Sequence, residues 1–153
     1  MRMKYLIGLN LIVGVLLLTA CHSHASRSEL AQQNVQVVRQ FTEAFNNHDV
    51  DAMLEFAHPD IEWGSVQGDT LSMEAAGHAE LRQGMDSYFS ALPSVRSSIE
   101  SVMPGERFTG VRERASWESD GESKSQSSIA VYEIEDGRIL RVTYFPAEHR
   151  EHR

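Results

Sequence analysis

Apolar and polar residues follow three successive patterns along the chain. Residues 5–19 form a nearly unbroken apolar run, residues 26–92 repeat at helical spacing around one short alternating stretch, and the period beyond Pro93 is two. Ser26 with Glu29 three residues later is a capping box that predicts a helix start. Leu30, Val37, Val38, Phe41, Ala44 and Phe45 then share one helical side. Asn46-Asn47-His48-Asp49 breaks this helix, and Asp49 is placed to cap a shorter one carrying Val50, Met53, Leu54 and Ala57 on a face and ending at Pro59. Asp60 to Val66 reads as a strand. A third helix is predicted from His78 to Leu92, since Leu81, Met85, Tyr88 and Leu92 recur at steps of four, three and four before Pro93.

Four strands are expected near 94–103, 106–119, 125–135 and 138–145, with Asp120-Gly121 and Asp136-Gly137 as hairpin turns. In the second, Val111, Glu113, Ala115 and Trp117 point one way, and Arg112, Arg114 and Ser116 the other. Helices first and an antiparallel meander afterwards imply an α+β domain in which a curved sheet wraps over the helices.

The opening apolar run lies behind Arg2 and Lys4 and ends in Leu18-Thr19-Ala20-Cys21, the layout of an export signal closed by a lipobox-like cysteine. It is short of the about 20 apolar residues a spanning helix needs. The segment resembles bacterial lipoprotein signals, which implies cleavage before Cys21, lipid on its thiol and an acylated new N-terminus. The expected organisation is a signal at 1–20, a tether at 21–28, one domain at 29–147 and a charged tail at 148–153. The place of work is then the cell envelope, and the outer membrane's periplasmic face where the source has two membranes, because His22 is not the aspartate of an inner-membrane retention signal. Cleavage removes two positive charges and takes the net charge from −8 to −10. An acidic chain is a poor partner for nucleic acid or anionic lipid headgroups, so the membrane is held through the N-terminal lipid alone. His22 and His24 lack a third ligand, and no Gly-rich phosphate loop is present, so neither metal nor cofactor is expected.

The stretch from Phe41 through Phe45, Asn46-Asn47-His48-Asp49, Phe56 and His58-Pro59-Asp60-Ile61-Glu62-Trp63 resembles the start of the nuclear transport factor 2-like superfamily, in its SnoaL-like and ketosteroid-isomerase-like branches. Gly77-His78-Ala79-Glu80-Leu81-Arg82 is similar to the opening of that group's third helix, and Val131 to Ile139 to its penultimate hairpin. The resemblance spans about residues 30–146 and implies helices packed inside a curved sheet, with an apolar pocket at the open end. It also sets the isomerase branch's base at Gly64 and its two oxyanion donors at Phe41 and Ala130, where this chain carries no suitable polar group.

Seven aromatic residues, Phe41, Phe45, Trp63, Tyr88, Trp117, Tyr132 and Tyr144, are candidate pocket walls for a small apolar ligand, or plain core. His58, Glu62, Glu113 and Arg114 are the ionisable residues expected nearest the cavity. Each also has a structural explanation as a helix end, a solvated face or a cross-strand pair. The reading favoured by the missing isomerase groups is a non-catalytic binding or scaffolding module. The alternatives are an isomerase, dehydratase or hydrolase with a non-standard acid–base set, and an assembly part forming a homodimer through its sheet. An open cavity holding a buried, shifted carboxyl favours the enzyme; a sealed apolar interior favours the assembly part.

Overall fold

The computed structural model describes residues 26–146. The signal segment, Cys21, the rest of the tether before Ser26, and the tail fall outside them.

Three helices, α1 (Arg27–Asn46), α2 (Val50–Phe56) and α3 (Gly77–Ala91), pack against six strands: β1 (Ala57–Gln67), β2 (Thr70–Ala76), β3 (Arg96–Met103), β4 (Phe108–Ser119), β5 (Glu122–Glu135) and β6 (Arg138–Tyr144). The capping box forms as its sequence requires: Ser26 Oγ accepts from the Glu29 amide at 3.2 Å, and Glu29 returns the bond to the Ser26 amide at 2.6 Å. Asp49 caps α2 through the Ala52 amide at 3.0 Å. Leu30, expected on the buried stripe, is 38% exposed. Burial on α1 begins instead at Asn34, whose amide donates to the Gly105 and Glu106 carbonyls and pins the helix to the β3–β4 connection.

The sheet order is β2-β1-β6-β5-β4-β3. The four strands after Pro93 form the expected antiparallel meander, β3 to β6; every other pairing is antiparallel too except β1 with β6, which is parallel and makes the whole sheet mixed where an antiparallel one is expected. The chain reaches that position because β2 and α3 intervene after β1, and β3 to β6 then return across the sheet by tight turns. Both Asp-Gly pairs adopt left-handed backbone, with φ of 55° and 77° at Asp120-Gly121 and 49° and 74° at Asp136-Gly137. This is the two-residue hairpin geometry that Gly and Asp tolerate.

Strand β2 was not expected. Leu71, Met73 and Ala75 alternate with Ser72 and Glu74, but the run is short and of these residues only Ala75 is buried. β1 also begins earlier than its alternation suggests, at Ala57, and runs through Pro59. The core lies between the concave sheet face and the helices, centred on Val38, Phe41, Met53, Ile61, Leu81, Val111, Tyr132, Ile139 and Val142, all at most 2% exposed.

Candidate functional site

Towards one end of the cone the core gives way to a cavity of about 620 Å³, within the range of small-molecule sites. Phe41 and Phe45 from α1, Leu81, Met85 and Tyr88 from α3, and Trp63 from β1 supply its apolar wall. Trp63 joins the two sides, 6.0 Å from Phe41 and 5.3 Å from Tyr144 between ring centroids. Gln67, Gly68, Glu74, Tyr88 and Phe145 are lining residues that are also exposed, and they mark the mouth.

The sheet side is polar. Glu113, 6% exposed, accepts from Ser97 Oγ at 2.9 Å and from the Tyr132 hydroxyl at 3.2 Å. The Tyr132 and Tyr144 hydroxyls lie 3.3 Å apart, and Tyr144 also bonds to Glu113. Burial pushes the Glu113 carboxyl above its ordinary value and outweighs the opposing hydrogen bonds from Tyr144, Ser97 and Tyr132. Burial first, and then the neighbouring Glu113, push both tyrosines well above theirs, so they stay neutral donors. The Tyr144 ring is only half-buried, but its hydroxyl is the end turned inward to this cluster. A buried carboxyl that holds its proton more tightly than usual, flanked by phenols and a serine, can exchange a proton with a ligand oxygen.

Of the residues singled out from the sequence, Phe41, Phe45, Trp63, Tyr88, Tyr132, Tyr144 and Glu113 meet at this cavity. Trp117 does not line it. It shares Glu113's strand face but sits four residues further along β4, about 13 Å at strand rise, and packs partly buried against the core. His58, Glu62 and Arg114 also lie off the cavity. His58 Nδ1 accepts from the Asp60 amide at 3.1 Å within its own turn. Glu62 pairs with Arg141 at 2.5 Å, and Arg114 with Glu100 at 2.7 Å. Both point to the convex face because each alternates with inward neighbours, Ile61 and Trp63 for the first, Glu113 and Ala115 for the second.

Ser97 and Glu74 belong to the cavity and carry no sequence signal that marks them. Ser97 is one of several serines in β3, and Glu74 lies on the unexpected strand. Of the positions matched to the isomerase groups, Phe41 is a wall, Ala130 is fully buried, and Gly64 packs against the backbone of β2. Among the described residues, no group of three or more His, Cys, Asp or Glu is arranged to hold a metal ion.

A mixed, strongly curved sheet closed over three helices with a cavity at one end is the nuclear transport factor 2-like cone. Within that class the chain belongs to the SnoaL-like domain family, which matches residues 38–142. Similar solved structures include TerC co-crystallised with polyporic acid (18% identity, TM-score 0.64, 73% of this chain and 89% of that one). An NTF2-like protein of unknown function from Burkholderia pseudomallei K96243 matches at 20% identity and TM-score 0.62, over 73% and 88%. A candidate SnoaL-like polyketide cyclase from Jannaschia sp. CCS1 matches at 16% and 0.67, over 79% and 90%. No curated protein matches the chain.

Proposed function

We propose that the domain binds a small, largely apolar molecule inside the cone and holds one of its oxygen atoms with the hydroxyl and carboxyl donors of Tyr132, Tyr144 and Glu113. The observation that carries this is a carboxyl buried at the wall of an open cavity with hydroxyl partners and, among the described residues, no cation among its hydrogen-bond donors. The same feature supports turnover as a second reading, since a carboxyl with a raised pKa beside a ligand carbonyl can give its proton to the oxygen while water takes one from the adjacent carbon. An open cavity speaks against the assembly-part reading.

The test is calorimetric titration of the full chain with 2-acetylnaphthalene and with 2-ethylnaphthalene, which has the same shape without the oxygen. The ketone should bind about tenfold more tightly, as one to two net hydrogen bonds allow, and the Tyr132→Phe/Tyr144→Phe double variant should erase the difference. Equal affinities in the unmodified protein sink the reading. Catalysed exchange of the acetyl protons for deuterium, lost in Glu113→Gln, separates an enzyme from a binding module.

The domain is further proposed to act at the envelope, tethered by lipid on Cys21, on the support of the Leu18-Thr19-Ala20-Cys21 sequence. Cys21→Ser should abolish lipid labelling and release the protein from membranes; retention through an alkaline wash points to another anchor.

A further inference from the structure

Strand alternation puts only one of two consecutive residues on a given face, yet Glu74 and Ala75 both line the cavity. The cause is a bulge. Trp63 pairs with Ala75 and Gly64 with Met73, so Glu74 is the extra residue on β2. Bulges break the period and re-aim a side chain. Gly64 makes this one possible, because a Cβ there would stand 2.6 Å from the Ser72 carbonyl oxygen. Ser65, itself a lining residue, then donates its hydroxyl to Glu74 Oε1 at 2.5 Å. An exposed glutamate on an edge strand ordinarily turns to water; this one is turned to the cavity rim and tied there.

We propose that Glu74 is a specificity-determining residue that reads a hydroxyl-type hydrogen-bond donor on the tail of the ligand, at the end away from Glu113. The ligand class is then an elongated amphiphile: an oxygen acceptor at the head, an apolar middle against Phe41, Trp63, Leu81 and Met85, and a donor at the tail. The inference deepens the binding reading of the cavity and rests on it. A carboxylate only accepts, and the Ser65 proton is already directed at it, so this part of the rim recognises donors and disfavours tails that only accept.

The experiment titrates the full chain with 4-acetylbiphenyl, 4-acetyl-4′-hydroxybiphenyl and 4-acetyl-4′-methoxybiphenyl. The hydroxyl compound should bind about fivefold more tightly than the methoxy compound, the scale of one hydrogen bond to a partly solvated charge. Glu74→Ala should bring that ratio to near one and leave 4-acetylbiphenyl within about twofold, with Ser65→Ala falling between. Thermal melts check that each variant is folded. A hydroxyl-to-methoxy ratio near one in the unmodified protein, or a ratio that survives Glu74→Ala, overturns the proposal. Indifference of 4-acetylbiphenyl to Tyr132→Phe/Tyr144→Phe, with the tail ratio intact, defeats the head-group reading and leaves Glu74 standing. Binding of none of the three overturns both.

Discussion

Glu113 and Glu133 stand on neighbouring strands of one sheet, 6% and 5% exposed, and the sheet separates them. On the concave side Glu113's hydrogen-bond donors among the described residues are hydroxyls. On the convex side Glu133 is gripped by Arg107 through Nε and Nη2 at 2.9 and 2.6 Å, and by Arg141 at 3.1 Å; Arg141 passes on to Glu62. Equal burial thus yields two different settings, a carboxyl with a raised pKa beside a cavity and a carboxyl held by two arginines in a four-residue network that ties β1, β6, β5 and the β3–β4 connection together. Partners, more than depth, decide what a buried carboxyl does.

The largest effect that bears on this contrast comes from the concave side's packing. Phe41, 2% exposed, is the ring against which Trp63 leans, and Phe41→Ala should cost about 3–5 kcal/mol in chemical denaturation. A loss well under 1 kcal/mol would mean that the cavity wall is not continuous with the core. On the convex side, Arg141→Ala strips one cation from Glu133 and the partner from Glu62. Removing one member of a buried pair costs about 3–5 kcal/mol, but Arg141 is 44% exposed and water takes up part of the loss, so about 2 kcal/mol is expected. A loss near zero would reduce the network to surface decoration.

The smallest effect is the sharpest test of the contrast. Because Glu113's carboxyl is raised in the folded protein, the folded state keeps a proton that the unfolded chain releases from about pH 4.5 upward. Its contribution to stability is complete below that pH and fades as pH rises through the folded value. Glu113→Gln should therefore be the less stable protein in acid, by about 1 kcal/mol, and close the gap as pH increases. Denaturation of both proteins between pH 4 and 8 reads this directly. A gap that widens with pH would mean that folding lowers Glu113's pKa instead of raising it, and would end the comparison.

How much of this was legible beforehand follows from the same geometry. The caps at Ser26 and Asp49, the α3 spacing and the two Asp-Gly turns are local signals, and each produced the element it announces. Glu113 could be placed on the inner face because β4 alternates cleanly there. Alternation also turns Glu62 and Arg114 outward, yet it does not locate the cavity along a strand, so Trp117 shares Glu113's face and misses the site. β2 announces itself only through the short alternation of Leu71, Met73 and Ala75, a weak signal because an edge strand buries little. The inward turn of Glu74 has no mark in that alternation, since the bulge arises from the pairing with β1.

The parallel seam between β1 and β6 joins Glu62 to Arg141 at a sequence separation of 79, while β3 to β6 are stitched by neighbours in sequence. Closing so long a loop carries an entropic cost that short hairpins do not, so the hairpin half of the sheet can assemble before the seam is zipped. The part that can then join last is β1 with β2, which carries Trp63, Ser65 and Glu74. In that order of assembly Glu113 has its strand neighbours before the opposite wall is in place. A molecule filling the cone touches both halves at once, and its presence favours completion of that final step.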